Sequence, residues 1–331
     1  MSSSIPSIEN TFTRQTGITV PVICGPMYPC SNPELVAAAS EAGALGIVQP
    51  ISLTYVHGYD FRNGLHYIRS LTANPIGMNA LIEQSNKRYH ERMVEWIDIA
   101  LEEGVRFFIT SLGKPDWVVK CVHQAGGIVY HDVTERKWAQ KAVDAGVDGL
   151  IAVNNRAGGH AGGQSLLHLY DELQTYDLPI ICAGGISLPV EFTQALDQGY
   201  AGVQMGTRFI ATTECNAPEP YKQAIVNAKE SDIVLSDRVS GTPVSLIHTP
   251  YIDRMGLKSN WLEKWMLSGK KRKYLMRTLY MLQSLWKLKK AVLDKSGSQE
   301  YWQAGKSVAG IDSIEPVSDI IEPFANARTP Q

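Results

Sequence analysis

The 331-residue chain lacks the features that mark a membrane protein, a disulfide-stabilised protein or a zinc protein. No uninterrupted apolar run reaches the roughly 18 residues that a membrane-spanning helix needs. The first residues show no basic stretch followed by an apolar one, so we expect no secretion signal and a cytoplasmic location. The five cysteines are odd in number and include no Cys-x-x-Cys pair, so we expect neither a disulfide framework nor a metal site.

Eight short apolar or β-branched runs recur along the first two thirds of the chain, spaced far enough apart for a strand, a helix and two loops in each repeat. The runs cover residues 20–24, 45–48, 76–80, 105–109, 127–130, 150–153, 180–183 and 202–205. Helical patterns cover 32–42, 88–103, 115–124, 134–144, 165–175, 188–198 and 218–229, whereas 55–72 is the least regular stretch between two strands. This order predicts an α/β protein that folds as a TIM (β/α)8 barrel.

An open, doubly wound sheet is the competing architecture for alternating strands and helices. Such sheets usually carry a Gly-x-Gly-x-x-Gly turn after the first strand to bind a dinucleotide. The first strand is followed here by Gly25-Pro26-Met27, which lacks that pattern. The sequence therefore favours the barrel.

The chain changes character after about residue 248, and we divide it into three parts. The barrel is expected over 1–248, a basic amphipathic helical insert or lid over 249–300, and a return segment over 301–331 that packs on the barrel. Residues 258–295 hold eleven Lys and Arg but only Glu263 and Asp294, a net charge of +9 that leaves −11 on the remainder. This basic segment fits a hairpin packed on the barrel, a lid, a docking face for an acidic carrier protein, or a helix on a membrane surface. No nucleic-acid-binding motif accompanies its charge.

One histidine lies in a glycine-rich loop directly after the sixth strand. The loop reads Ala157-Gly158-Gly159-His160-Ala161-Gly162-Gly163. Glycines allow the backbone to approach a flat or anionic ligand, and the imidazole can move a proton near neutral pH. We interpret His160 as the catalytic residue; the alternative is a glycine turn with an idle histidine.

The loops after strands seven and eight are suited to bind a phosphate, as these two loops commonly do in TIM barrels. They read Ala183-Gly184-Gly185-Ile186-Ser187 and Met205-Gly206-Thr207. Glycine lets backbone N–H groups close on the phosphate oxygens, Thr207 adds a hydroxyl, and the positive end of the following helix favours an anion.

The other strand ends offer groups for a flat heterocycle. Met27 follows strand one, and Asn79, at the end of strand three, can both donate and accept hydrogen bonds at a ring edge. His131 and Asp132 end strand five. His131 is a second acid/base candidate, ranked below His160 because no glycines flank it.

Three segments carry a family resemblance: 157–162, 179–186 and 203–209, the last followed by Glu214-Cys215-Asn216. Together they resemble the FMN-dependent nitronate monooxygenases, formerly called 2-nitropropane dioxygenases, with flavin-dependent enoyl-acyl-carrier-protein reductases and some NADH:quinone reductases as kin. The resemblance runs from about residue 20 to 242 and resumes near 304–310. It implies a TIM barrel that holds FMN non-covalently, with its phosphate on the glycine loops and His160 facing the substrate.

With the adjoining residues, the expected cofactor-binding set is Gly25, Pro26, Met27, Asn79, Asp132, Gly158, Gly159, Ala183, Gly184, Gly185, Met205, Gly206 and Thr207. Two positions depart from the family. Many relatives have Gly-Gly-Met where this chain has Gly25-Pro26-Met27, so one backbone N–H is lost. Some relatives place a lysine where Asp132 stands, and a carboxylate there would raise the cost of a reduced anionic flavin.

The resemblance implies oxidation of an alkyl nitronate or a related stabilised carbanion by FMN, with dioxygen as the final electron acceptor. His160 would act as a base or as a charged hydrogen-bond donor towards this small-molecule substrate. The second hypothesis is an NAD(P)H-dependent flavin reductase that acts on an enoyl thioester or a quinone. A third is a non-catalytic phosphate-ligand binding or membrane-associated scaffold. A homodimer is compatible with each hypothesis.

Overall fold

The computed structural model describes residues 7–83, 87–237, 243–257 and 301–327. Eight parallel strands close into a barrel in the order β1 to β8, with β1 paired to both β2 and β8. The strands are β1 Val22–Cys24, β2 Leu45–Val48, β3 Ile76–Leu81, β4 Phe107–Ser111, β5 Ile128–Val133, β6 Gly149–Val153, β7 Ile180–Ala183 and β8 Gly202–Met205. The expected TIM barrel is therefore confirmed, and the doubly wound alternative was wrong.

Helices surround the barrel and follow its strands. Within the described residues they are α1 Thr11–Thr16, α2 Pro33–Glu41, α3 Phe61–Leu71, α4 Lys87–Glu102, α5 Asp116–Gln124, α6 Arg136–Asp144, α7 Leu166–Leu173, α8 Pro189–Gln198, α9 Thr207–Ile210, α10 Glu219–Asn227, α11 Pro250–Met255 and α12 Val317–Asn326. Local signals explain several ends: Ser165 caps α7 through the His168 N–H, and a left-handed Gly199 ends α8.

Two hydrophobic layers form because alternate residues of each strand point in opposite directions. Side chains that point inward join a cluster inside the barrel, which we call the inner cluster; those that point outward pack beneath the helices. The inner cluster contains Phe12, Ile18, Ile23, Leu45, Ile47, Phe107, Ile109, Tyr130, Ile151, Ile181 and Ala183. Helix α1 lies across the amino end of the barrel, where the Asn10 amide donates to the Ala201 carbonyl at 2.7 Å.

The strand register stacks the inward positions in layers of four, taken from alternate strands, as in other barrels of this kind. From the amino end, the first layer is Leu45, Phe107, Gly149 and Gly202, the second Ile23, Gly77, Tyr130 and Ile181, and the third Ile47, Ile109, Ile151 and Gln204. The fourth layer is Gly25, Asn79, Asp132 and Ala183. Among the described residues of these layers, the amide and carboxyl side chains, Asn79, Asp132 and Gln204, therefore lie in the third and fourth layers, towards the carboxyl end.

The structure differs from the sequence-based expectations at the less regular elements. Residues 52–56 form a π-helical turn and 61–71 form α3, where the sequence pattern was least regular. Strand β4 begins at Phe107 instead of residue 105, and β5 continues to Val133 instead of ending at residue 130. The antiparallel pair β9 Ile233–Ser236 and β10 Val244–Ile247 was not predicted.

The basic segment 258–295, and the expected helices within it, lie outside the described residues. The proposed division into a barrel, an insert and a return segment stays a prediction. The described part of the return segment contacts the barrel loops, since the Trp302 carbonyl accepts from the Ile247 N–H at 2.9 Å. Among the described helices, none is both long and apolar enough to cross a membrane.

Candidate active site

The fourth inward layer forms a floor at the carboxyl end of the barrel. Gly25 on β1 and Ala183 on β7 lie on either side of β8 and contribute almost no side chain, whereas Asn79 on β3 and Asp132 on β5 lie across the barrel from them and contribute polar groups. Beneath this layer Gln204 packs against Gly25, where an added Cβ would lie 2.9 Å from the Gln204 Cγ. The floor is therefore open on the side of β1 and β7 and polar on the side of β3 and β5.

Two buried oxygen atoms near this floor have no hydrogen-bond partner among the described residues. They are Asp132 Oδ1 and Gln204 Oε1, although both residues keep partial exposure towards the mouth. Asn79 is engaged, because its Nδ2 donates to the Ile109 carbonyl at 3.3 Å. Since unpaired buried polar atoms are costly, these oxygens indicate a ligand that supplies N–H or O–H groups from above.

The two polar residues that end β5 face opposite ways. Asp132 shares the inward direction of Tyr130, and burial raises the pKa of its carboxyl from 3.8 to about 7. His131 points outward, where its Nδ1 lies 2.8 Å from the Thr110 hydroxyl and burial lowers its pKa to about 4. His131 is therefore a neutral, enclosed side chain, and the structure does not bring it to the mouth.

Asn154, the first residue after β6, fixes the histidine loop to the loop after β7. Its Nδ2 donates to the Gly184 carbonyl at 2.9 Å, and its Oδ1 accepts from the Arg156 N–H at 2.8 Å. The far side of the loop is held by β10, because the Gly159 carbonyl accepts from the Ser245 N–H at 2.8 Å. These contacts fix the loop between the loop after β7 and strand β10.

His160 lies at the end of this fixed loop. The side chain is exposed to the mouth but surrounded by protein, and the resulting desolvation lowers the pKa of its imidazole below the usual 6.5. The neutral form therefore predominates at pH 7, and a neutral imidazole can accept a proton at a ring nitrogen.

The loops after β7 and β8 present a cradle of backbone amides. In the part of the chain that the structure describes, the N–H groups of Gly184, Gly185, Gly206 and Thr207 have no hydrogen-bond acceptor. Gly184 and Gly185 have φ of 117° and 80°, and a Cβ at Gly184 would lie 2.6 Å from the Ala157 nitrogen. Only glycine fits both conformations, so the amides stay accessible to an anion.

The return segment closes one side of this cradle. The Gly305 N–H donates to the Thr207 hydroxyl at 2.9 Å, and the Lys306 N–H donates to the Arg156 carbonyl at 2.9 Å. Gly158 and Gly305 are in such close contact that a Cβ at Gly158 would lie 3.0 Å from the Gly305 nitrogen. The histidine loop, the cradle and the return segment therefore form one connected unit.

The expectation that a helix dipole would favour the anion was wrong for the loop after β7. Glu191 of α8 already accepts from the Ser187 and Leu188 N–H groups, at 2.7 and 3.0 Å. Its carboxylate occupies the positive end of the helix. The helix after β8, α9, spans only four residues. The candidate anion site therefore rests on loop amides.

A cluster of charged side chains lies beside the cradle. Arg156 makes two hydrogen bonds with Glu230, at 2.8 and 2.9 Å, and the Lys306 Nζ lies 3.6 Å from the same carboxylate. Two cations thus share one anion, and all three side chains are partly exposed. A Cβ at Gly185 would lie 2.5 Å from the Arg156 Nε, so this net positive charge adjoins the cradle.

The remaining expected residues are placed as follows. Met27 contacts the loop after β8, since a Cβ at Gly206 would lie 3.4 Å from its sulfur, and its N–H donates to the Ser31 hydroxyl at 2.9 Å. Pro26 lies beside it, partly exposed. Met205 points outward into the helical layer and contributes only its carbonyl, which accepts from the Gly25 N–H at 2.9 Å.

Sequence reasoning missed four residues of this site: Asn154, Arg156, Gln204 and Gly305. Gln204 carried a signal, because it is a polar residue at an inward position of an otherwise apolar strand. Asn154 carried a weaker one, as the first polar residue between a strand and a glycine loop. No cluster of His, Cys, Asp or Glu suited to a metal ion occurs within the described ranges, and the absence of a metal site stays a prediction.

These features together fit a mononucleotide with a flat heterocycle. The free amides and the adjacent net positive charge suit one phosphate group. The floor of Gly25 and Ala183 accommodates a ring, while the unpaired oxygens of Asp132 and Gln204 suit the N–H groups of its edge. His160, on the loop beside the cradle, carries a neutral imidazole that can accept a proton.

Comparison with known proteins adds a family assignment to this geometry. The family described as nitronate monooxygenase matches residues 10–326. The (3aS,4S,5R,7aS)-5-hydroxy-7a-methyl-1-oxo-octahydro-1H-indene-4-carboxyl-CoA dehydrogenase of Rhodococcus jostii is 28% identical over 255 residues, 77% of this chain and 70% of that protein. A probable nitronate monooxygenase of Staphylococcus aureus is 26% identical over 291 residues, 75% of this chain and 80% of that protein.

Among solved structures, FabK from Thermotoga maritima is similar over nearly the whole chain. It matches with a TM-score of 0.80 and 26% identity, covering 97% of this chain and 96% of that one. The likeness therefore includes both the barrel and the return segment that closes the cradle.

Proposed function

Because the chain belongs to the nitronate monooxygenase family, whose members are flavin oxidoreductases that act on small molecules, we propose that it oxidises alkyl nitronates or related stabilised carbanions with FMN and dioxygen. The observation that carries this proposal is the convergence of three parts in one mouth. These are the phosphate cradle, the floor with its unpaired oxygens, and His160 on a loop that Asn154 ties to the cradle.

FMN is the proposed flavin because the cradle provides amides for a single phosphate. The amides of Gly184, Gly185, Gly206 and Thr207 would hold this phosphate, with Arg156 and Lys306 nearby. Gly25, Asn79, Asp132 and Gln204 would receive the ring. When bound, the flavin supplies an electron acceptor for the substrate and, once reduced, a donor for dioxygen.

His160 is the proposed acid/base group. Its lowered pKa keeps the imidazole neutral at pH 7, in the form that can generate the nitronate from a neutral nitroalkane by removing the proton from the carbon next to the nitro group. After the proton has moved, the imidazolium can hold the negative nitronate oxygens by a charged hydrogen bond. The Asn154 and Ser245 contacts fix the loop that carries this ring.

A second candidate is reduction of an enoyl thioester or a quinone with NADH or NADPH as the electron donor. Two observations favour a thioester. The Rhodococcus relative is named for a carboxyl-CoA substrate, and the partly exposed Arg156 and Lys306 place positive charge at the mouth where a phosphate of a thioester carrier could bind. His160 would then donate a proton to the substrate carbon.

One experiment separates these functions. The purified protein should be yellow, with an FMN absorption spectrum and about one FMN per chain. Under anaerobic conditions in a stopped-flow instrument, the nitronate proposal expects rapid bleaching by an alkyl nitronate and slow or no bleaching by NADH or NADPH. The reverse result, with reoxidation by an enoyl-CoA, would establish the second candidate instead. A colourless protein that gains no FMN on reconstitution would overturn both.

A further inference from the structure

Asp132 is an unusual residue for the floor of a barrel mouth. It points into the interior with the apolar Tyr130 below it, and its Oδ1 is fully enclosed without a partner among the described residues. Its register partner on β6 is the apolar Ile151, and on β4 the inward Ile109 lies opposite Tyr130, one inward position below Asp132. A carboxyl group in such a position needs either a proton or a donor from a ligand.

We propose that Asp132 is a proton-carrying group for the bound cofactor, taking up one proton from solvent whenever the cofactor is reduced by two electrons. This inference rests on the proposed function, because it requires a flavin over the floor. Asp132 is thus a positioning and tuning residue, and His160 keeps the acid/base role towards the substrate.

The charges around Asp132 support this coupling. Burial alone raises the pKa of its carboxyl to about 7, with no charged group contributing to the shift. His131, its neighbour on β5, faces the opposite side of the sheet. The mouth loops contribute Tyr28, whose pKa burial raises to about 12, and His160, which is mainly neutral at pH 7. The cations of the mouth, Arg156 and Lys306, lie beside the cradle, where they pair with Glu230. The floor therefore contains no permanent positive charge among the described residues.

The number of electrons and protons taken up on reduction follows from general flavin chemistry. Two electrons and one proton from the substrate, or from another two-electron donor, leave the ring with one negative charge. That charge raises the pKa of the nearby Asp132 carboxyl further, so Asp132 binds a second proton from solvent. On reoxidation Asp132 releases that proton. The protonated carboxyl can also donate a hydrogen bond to the reduced ring, so it offsets the repulsion expected from a carboxylate.

The test is a redox titration of the FMN-loaded protein with dithionite and reference dyes between about pH 7 and pH 8.5. If Asp132 takes up a proton, reduction consumes two protons per two electrons, and the midpoint potential falls by about 59 mV per pH unit. In Asp132→Asn, which cannot titrate, one proton remains and the slope falls to about 30 mV per pH unit. Asp144→Asn, which removes an exposed carboxylate on α6, should keep the wild-type slope.

Three outcomes would overturn the inference: a wild-type slope of one proton, a two-proton slope that persists in Asp132→Asn, or an equal loss of slope in Asp144→Asn. If Asp132→Asn loses FMN, the inference is decided by two other slopes. These are the slope of the wild type and the slope of Asp132→Glu, which keeps a titrating carboxyl. Failure of the proposed function is a different result, since the protein would then bind no flavin or its flavin would not react with nitronate.

Discussion

The two ends of the barrel interior are built from the same strands but in opposite ways. At the amino end, Phe12, Phe107 and Tyr130 pack with ring centroids 5.0 to 5.8 Å apart, and the Tyr130 hydroxyl donates to Gln15 at 2.6 Å. At the carboxyl end, Asp132 and Gln204 each keep an unpaired buried oxygen.

The contrast separates stability from function within one domain. A filled interior with satisfied hydrogen bonds stabilises the fold, whereas unpaired polar atoms and free amides lower stability unless a ligand binds them. Residues of the amino end should therefore affect unfolding and leave cofactor binding unchanged. Residues of the carboxyl end should affect cofactor binding, and Asp132 should in addition make the unfolding free energy depend on pH.

The largest expected effect is loss of the cofactor in Gly184→Ala. The added Cβ would lie 2.6 Å from both the Ala157 nitrogen and the Asn154 Oδ1, at a φ of 117° that alanine rarely adopts. Both loops must shift, so we expect the purified variant to retain little or no FMN. The ratio of flavin to protein absorbance measures this. Gly163→Ala is the matched control, because a Cβ there meets nothing within 4 Å; if it loses FMN equally, the cradle is not responsible.

His160→Asn should reduce turnover by about 10²- to 10⁴-fold, the usual contribution of a positioned acid/base. FMN content should stay near one per chain, since the histidine loop is held by Asn154 and Ser245. In the wild-type enzyme the acid limb of kcat/KM should lie below pH 6.5, because burial lowers the pKa of His160. His168→Asn, on the exposed face of α7, serves as the control. Full activity in His160→Asn would remove the histidine from the mechanism.

The two faces of β5 predict opposite effects of acid on stability. His131 has a folded-state pKa of about 4 against an ordinary 6.5, so its contribution is present above pH 6.5 and is lost as pH falls through 4. Asp132 has a folded-state pKa of about 7 against 3.8, so its contribution is present below pH 3.8 and is lost as pH rises through 7. Each contribution to the unfolding free energy amounts to about 3–4 kcal/mol. Between pH 4 and 6.5 the two pH dependences have opposite signs and largely cancel.

Single substitutions should reveal each of the two opposing pH dependences of the unfolding free energy. From pH 6.5 to 4.5, Asp132→Asn should lose about 2–3 kcal/mol of unfolding free energy, whereas His131→Gln should gain a similar amount. Guanidinium unfolding of the wild type and both variants at the two pH values measures these changes. Parallel pH dependence in all three proteins would contradict the assignment of His131 to the outer face and of Asp132 to the interior.

The sequence predicted the barrel because its strands are apolar runs in regular alternation with amphipathic helices, a pattern set by local periodicity. It also located the glycine loops, since Gly184, Gly185 and Gly206 directly follow such runs. It did not predict which way His131 and Asp132 face, because that depends on the register of β5 against both neighbours.

The contribution of the return segment could not be predicted from the sequence either. Gly305 meets Gly158 and Thr207 across roughly a hundred or more residues of chain, and no local pattern encodes such a contact. The sequence did contain a signal for the Glu191 cap, because Glu191 is a carboxylate in the first turn of α8, four residues after Ser187. Long-range packing thus determined the parts of the site that local signals left open.

The smallest expected effect tests the amino end alone. Tyr130→Phe removes the hydroxyl that donates to Gln15 and leaves the ring, which fills the interior opposite Gly149, in place. The loss of one hydrogen bond should lower the unfolding free energy by about 1 kcal/mol and the Tm by about 1–2 °C. FMN content, turnover and the pH slope of the midpoint potential should remain those of the wild type. A change in any of these three would show that Tyr130, two residues before Asp132 on the same face of β5, transmits structure to the floor, and the two ends would then not be independent.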